Sequence, residues 1–164
     1  MVFQWQAFKA LSSTVFYTDG NYVATQGGTN GTLRSATALA QPLTAYNAIQ
    51  DQDLVEAGVA HAIRRVRGLT LTFGPRWEGV PAVNMIGNDL GFRRPGFAIS
   101  LAPGFIYVRG MNMVTVSVGK ALYRDRTRSV PDQILGTHGD AAFADYVWLV
   151  SYTYRIPKKH ATEN

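Results

Sequence analysis

Residues 97–107 read FAISLAPGFIY, and the alternation in this stretch decides the fold. Phe97, Ile99, Leu101, Phe105 and Tyr107 fall on one side of an extended chain, while Ala98, Ser100, Ala102 and Gly104 fall on the other, because successive side chains of a strand point to opposite faces. One face is bulky and the other small. The preceding segment repeats the pattern, with Leu69, Leu71, Phe73 and Trp77 opposite Thr70, Thr72, Arg76 and Glu78. In the following one Val114, Val116 and Val118 alternate with Thr115, Ser117 and Gly119. Near the end Tyr146, Trp148, Val150, Tyr152, Tyr154 and Ile156 share a face, with Ser151, Thr153 and Arg155 among their alternates.

Earlier segments alternate more weakly. Phe3, Trp5 and Ala7 oppose Gln4 and Gln6, residues 15–25 are compatible with a strand, and Val55, Ala57, Val59 and Ile63 oppose Glu56, Gly58 and Arg64. Residues 46–67 also admit a helix, since 51–65 is poor in glycine and carries Glu and Arg; Gly58 and the β-branched residues favour a strand. The pattern predicts an all-β, antiparallel up-and-down meander of about seven strands. Most come near the 9–11 residues that a tilted strand needs to cross a bilayer.

Composition agrees with a surface that meets something other than water. The chain has 164 residues, the length of one domain, and only 16% are charged, against roughly 25% in ordinary globular proteins. Aromatics reach 12%, and the net charge of +5 comes mainly from arginine, lysine being confined to Lys9, Lys120, Lys158 and Lys159. This apolar content excludes disorder. Cysteine is absent, which removes disulfides, cysteine-based zinc sites and thiol catalysis. No run approaches the roughly 18 apolar residues of a membrane-spanning helix. Residues 1–9 lack the basic and apolar regions of a signal peptide.

Connection lengths are a second signal. Short turns are expected near residues 11–14, 65–68 and 109–112, and long loops at 27–52, 80–95 and 127–144, rich in Gly, Asn, Asp, Pro and Thr. Outer-membrane barrels show this asymmetry. Aromatics near both ends of the 97–107 and 146–156 strands fit interface girdles, although Trp148 lies inward of its belt.

At this point the chain resembles the C-terminal part of a Gram-negative outer-membrane β-barrel protein. The residues that carry the likeness are the closing strand 145–156, DYVWLVSYTYRI, and the hairpins before it. The loop segments 91–96 (GFRRPG), 78–81 (EGVP) and 139–142 (GDAA) are similar to loops of such barrels. Ile156 stands where these strands usually end in an aromatic, and a polar tail, residues 157–164, follows. The likeness implies a barrel over residues 1–156, lipid contacts through Leu71, Phe73, Ile99, Leu101, Val116 and Val150, and a passive pore or structural envelope role in the outer membrane. Strand arithmetic adds the expectation of an incomplete barrel, its further strands coming from upstream or from other copies of the chain.

Glu56, Arg64, Arg76, Glu78 and Arg155 fall on polar faces. They line a lumen and set its selectivity, or pair across strands to hold a narrow interior together. Arg93, Arg94, Arg124 and Arg126, with Asp125 and Arg128 nearby, are candidates for binding an anion such as a lipopolysaccharide phosphate, or are ordinary rim charges. Lys120 falls on the lipid-facing parity, where it snorkels or Gly119 opens a bulge that flips it, and with Leu69 pairing near Arg109, Gly74-Pro75 is expected opposite Pro103-Gly104 as one merged bulge without ladder hydrogen bonds. His138 and Asp140 could bind metal or assist a serine, and His61 shares an apolar face, yet no catalytic motif is present, so no enzyme and no cofactor are expected. Scattered arginines speak against nucleic acid. The rival readings are a soluble barrel or sandwich holding a small apolar ligand, and a β-rich assembly subunit.

Overall fold

Strands whose alternation is this regular pair with their sequence neighbours, and the chain does so throughout. The computed structural model describes residues 1–138 and 143–156; the 139–142 loop segment, Asp140 and the 157–164 tail lie outside the described residues. Among the described residues the strands are β1 (Val2–Leu11), β2 (Thr14–Val23), β3 (Thr29–Leu33), β4 (Tyr46–Ala48), β5 (Gln52–Ala62), β6 (Leu69–Phe73), β7 (Pro75–Val80), β8 (Gly96–Leu101), β9 (Gly104–Arg109), β10 (Asn112–Arg126) and β11 (Tyr146–Tyr154). One short α-helix, α1 (Val130–Leu135), and two 3-10 turns, Ala38–Ala40 and Pro42–Thr44, lie in the connections. No helix among the described residues is long and apolar enough to cross a membrane, which says nothing about crossing with strands.

β3 and β4 pair with each other, and β4 also bridges Phe92 through Asn47; the other nine strands form one antiparallel sheet. β6 and β7 are two halves of one crossing, and so are β8 and β9. Leu69 pairs with Tyr107 and Thr72 with Gly104, then Pro75 pairs with Leu101 and Val80 with Gly96, with no change of register. Across the interruption the Ala102 N–H donates to the Gly74 carbonyl at 2.9 Å. The sheet is thus a meander of seven crossings in sequence order: β1, β2, β5, β6 with β7, β8 with β9, β10 and β11. Residues 52–62 are strand, not helix.

One local expectation needs correction and one holds. Leu69 meets Tyr107 rather than Arg109, so Pro75 faces Leu101 and the prolines do not merge into one bulge. A proline removes one ladder N–H without inserting a residue, so each interrupts the strand where it stands and leaves the register intact. The register shift in this sheet lies further on, between Ala121 and Tyr123 of β10. Lys120 precedes it, keeps outward parity, and pairs with Leu101 and Tyr146.

The short turns share one end of the sheet and the long loops the other. Leu11 pairs with Thr14 and Arg109 with Asn112 across two-residue turns, whose Ser12 (φ 55°) and Gly110 (φ 59°) supply the positive φ that tight hairpins require. Residues 24–51, 81–95 and 127–145 connect strands at the opposite end.

The sheet curves into a partial ring whose concave side carries small and polar groups interspersed with Phe8, Val15, Ile106 and Leu149. A cavity of about 690 Å³ is lined from all seven crossings, including Gln6, Tyr17, Glu56, Thr72, Thr115 and Ser151. Among the described residues the buried apolar side chains are small, Ala24, Ala45, Ala98 and Ala102 with Pro95 and Pro131, whereas Phe73 is 53% exposed and Trp148 69% on the convex side. Glycines admit close approach within the wall. Trp5 lies over Gly20 and Tyr17 over Gly58, and a Cβ on Gly74 would stand 1.9 Å from the Ala57 carbonyl oxygen.

Gly74→Ala is therefore expected to cost about 1–3 kcal/mol in a denaturant titration. Gly110→Asn, at an open left-handed position, should be nearly neutral. Equal stability of the two variants would show that the Gly74 approach is not a packing constraint.

Candidate functional site

Register alone assembles a charged row on the concave side. Gln6 pairs with Asp19, Asp19 with Glu56, Glu56 with Arg76 and Arg76 with Ser100, all at the same parity. Arg76 is 9% exposed. Its Nη1 lies 3.9 Å from Glu56 Oε2, and its Nη2 donates to Glu78 Oε2 at 3.0 Å, with Nε also donating at 3.3 Å. Tyr17 Oη donates to Glu56 Oε1 at 3.0 Å. The guanidinium thus ties β7 to β5, and the Tyr17–Glu56 hydrogen bond carries the network on to β2. The three carboxylates of Asp19, Glu56 and Glu78 outnumber it, which leaves this row with negative charge.

The long loops carry a second polar assembly above the row. Asp51, fully buried, accepts from Tyr22 Oη (2.8 Å), Thr25 N–H (2.7 Å), Thr25 Oγ1 (2.9 Å) and Met85 N–H (2.7 Å). Burial pushes its carboxyl up, but these hydrogen bonds outweigh burial and hold it below the ordinary aspartate value. Asp51 thereby fastens the loop after β2 to the loop after β7. Asp132 behaves alike: burial opposes its charge, and bonds from Ser129 and Thr137 bring its carboxyl below the usual value. Ser129 and Asp132 form a reciprocal cap at the start of α1.

Of the lumen candidates, Glu56, Arg76 and Glu78 come together as described. Arg64 instead lies in the turn after β5, exposed, with Nε and Nη2 donating to Ser13 Oγ at 3.4 and 3.3 Å. Arg155 follows the last residue of β11, its N–H donating to the Met111 carbonyl. Both stand at the short-turn rim, because the hairpins end one residue or so before them.

Of the loop candidates, Arg93 is turned inward and 1% exposed. Its Nη1 donates to the Ala82 carbonyl (3.1 Å), Asn84 Oδ1 (3.2 Å) and Asp89 Oδ1 (3.4 Å), so it braces the loop from within. Burial pulls its guanidinium below the ordinary arginine value. Arg94 is exposed and lies 5.3 Å from the Phe92 ring, which Arg34 covers at 4.0 Å. Arg34, Phe92, Arg94, Thr137 and His138 share a cavity of about 280 Å³ in the loops. Arg124 is ion-paired with Asp145, and Arg126 sits opposite Gly96 in the β8–β10 ladder. His61 is exposed on the convex face, its Nδ1 2.8 Å from Thr14 Oγ1.

Sequence reasoning missed Asp19, Tyr17, Asp51 and Arg34. The first two were within reach, since Tyr17, Asp19 and Asn21 alternate through 14–23. Asp51 looks like any turn aspartate until the distant Tyr22 and Met85 are placed around it. No protein-family model matches the chain, and no curated protein or solved structure matches it either.

Asp51→Ala strips the acceptor from two buried N–H groups and two hydroxyls, and should destabilise the loop cap by roughly 1–3 kcal/mol. Its carboxyl is depressed, so its stabilisation is complete above the ordinary value of 3.8 and declines as pH falls below it. Hydrogen exchange at the Thr25 and Met85 amides reads both effects. Unchanged protection in the variant and under acid would remove Asp51 as the anchor.

Proposed function

We propose that this chain forms the wall of an outer-membrane β-barrel, with the convex face against lipid and the concave face lining a narrow lumen. The observation that carries the reading is the inverted distribution of side chains. Arg76, Ser100 and Asp51 are buried, while Leu71, Phe73, Phe105 and Val150 stand exposed on one continuous face. Water-soluble monomers rarely leave an apolar patch of that extent uncovered. Closed-barrel crossing also satisfies backbone hydrogen bonds through neighbouring strands, which lipid requires. β1, β2 and β5 have 10, 10 and 11 residues, the length a tilted crossing needs.

Convex aromatics support interfacial positions. Trp77 stacks on Phe97 at 4.0 Å between centroids, Phe97 contacts Tyr123 at 5.9 Å, and Trp77 Nε1 donates to Asp53 at the long-loop end. Tyr152 and Tyr154 lie at the short-turn end of β11. Among the loop arginines proposed for an anionic headgroup such as lipopolysaccharide, Arg94, Arg124 and Arg126 are exposed and Arg93 is not.

Within the lumen the role is a passive pore or a structural wall. The Glu56–Arg76–Glu78 bracing supports a narrow waist, and the excess of carboxylates favours cations over anions there.

Extraction tests the membrane reading. The protein expressed with a bacterial export signal should remain with outer membranes until detergent is added and should migrate heat-modifiably; purification from the aqueous fraction as a monomer would favour a soluble ligand-binding barrel. In planar bilayers a pore should pass cations in preference to anions, and Arg76→Ala should shift the reversal potential further toward cation selectivity. An unchanged potential would take Arg76 out of the conduction path.

A further inference from the structure

We infer that the seam between β1 and β11 takes one additional β-strand, antiparallel to both edges; this rests on the sheet being a barrel wall. Among the described residues β1 pairs only with β2 and β11 only with β10, so each presents a free edge of the sheet. All ten residues of β1 are exposed.

Direction restricts what fits. β1 and β11 both run from the long-loop end toward the short-turn end, and every pairing in the sheet is antiparallel. Direct pairing of the two edges would be parallel. A second copy rotated about the barrel axis would bring its own first strand beside β11, pointing the same way, and would make the same parallel seam. Antiparallel closure therefore needs an odd number of added strands.

The smallest such number is one, and it suits the size of the cavity. Gln6 and Phe8 of β1 line the same cavity of about 690 Å³ as Leu149, Val150 and Ser151 of β11. One inserted strand sets the edges two interstrand spacings apart, about 10 Å, whereas three would set them about 19 Å apart and open the wall well beyond a cavity of this size. Eight crossings give an interior just wide enough for side chains or one small ligand. The occupant is then an extended segment of about ten residues that runs from the short-turn end toward the loops. Its outward residues are bulky and apolar, continuing Trp5 and Val150, and its inward ones are small or polar, beside Gln6 and Ser151.

The chain has no cysteine, so an engineered pair reports the gap without interference. In detergent, the double variant Gln6→Cys, Ser151→Cys should be bridged by a bis-maleimide of about 10 Å and should form no disulfide under oxidation, which requires Cα atoms within about 7 Å. Phe8→Cys with Leu149→Cys repeats the measurement should the first pair fail to fold. A spontaneous disulfide would mean that the edges pair directly, and bridging only by reagents of about 20 Å, or by none, would mean a wider gap; either overturns the inference. A synthetic peptide copying residues 112–120, which pairs antiparallel with β11 within the chain, should slow amide exchange along both free edges. Protection at one edge or neither also overturns it. Failure of the membrane reading is seen separately, as a protein that needs no detergent yet keeps the 10 Å bridge.

Discussion

An unshifted antiparallel register across the meander, from β1 to the bulge in β10, is the constraint on which the rest of the structure depends. Strand side chains alternate with period two, so a slip of one residue in any pair would turn Arg76 outward and Trp77 inward. The same register that sets Glu56 beside Arg76 sets Val55 beside Trp77 on the other face. Polar concave row and apolar convex face are thus two consequences of one pairing, and neither can be altered alone. Glycines at 58 and 74 protect that pairing, because the strands approach too closely there for a Cβ. The prolines interrupt it without moving it.

The end of the sheet away from the short turns is held by a different kind of interaction. Few large apolar side chains are buried there, and order comes from carboxylates and a guanidinium surrounded by backbone donors and acceptors. Asp51 gathers two loops, Asp132 caps α1, and Arg93 fills the interior of the 81–95 loop. Such networks are strong when complete, since a buried polar group without its partner is costly, and at Arg93 the Nε and Nη2 atoms are buried with no hydrogen-bond partner among the described residues. They hold the loops to one another and leave Arg34 and Arg94 against the Phe92 ring.

Strand parity, the number of crossings and the asymmetry of the connections were legible because each depends on residues adjacent in sequence. The 97–107 stretch carries its own two faces, and its neighbours repeat them. What could not be read depends on contacts between distant segments. Arg93 reads as one of two loop arginines until Ala82, Asn84 and Asp89 close around it, and Arg64 and Arg155 share the parity of Arg76 but lie beyond the ends of their strands. Register was legible to within a hairpin step: Leu69 was expected near Arg109 and meets Tyr107, because the 63–68 turn and the Gly110-Met111 turn, not the prolines, set where the ladder begins.

The central claim is that the convex face meets lipid, and the chain has its own probes for it. All three tryptophans, Trp5, Trp77 and Trp148, lie at convex parity. Reconstituted into vesicles whose acyl chains carry bromine, the protein should show blue-shifted tryptophan emission that the brominated lipid quenches and aqueous iodide does not. Red-shifted emission quenched by iodide and indifferent to the brominated chains would contradict the account.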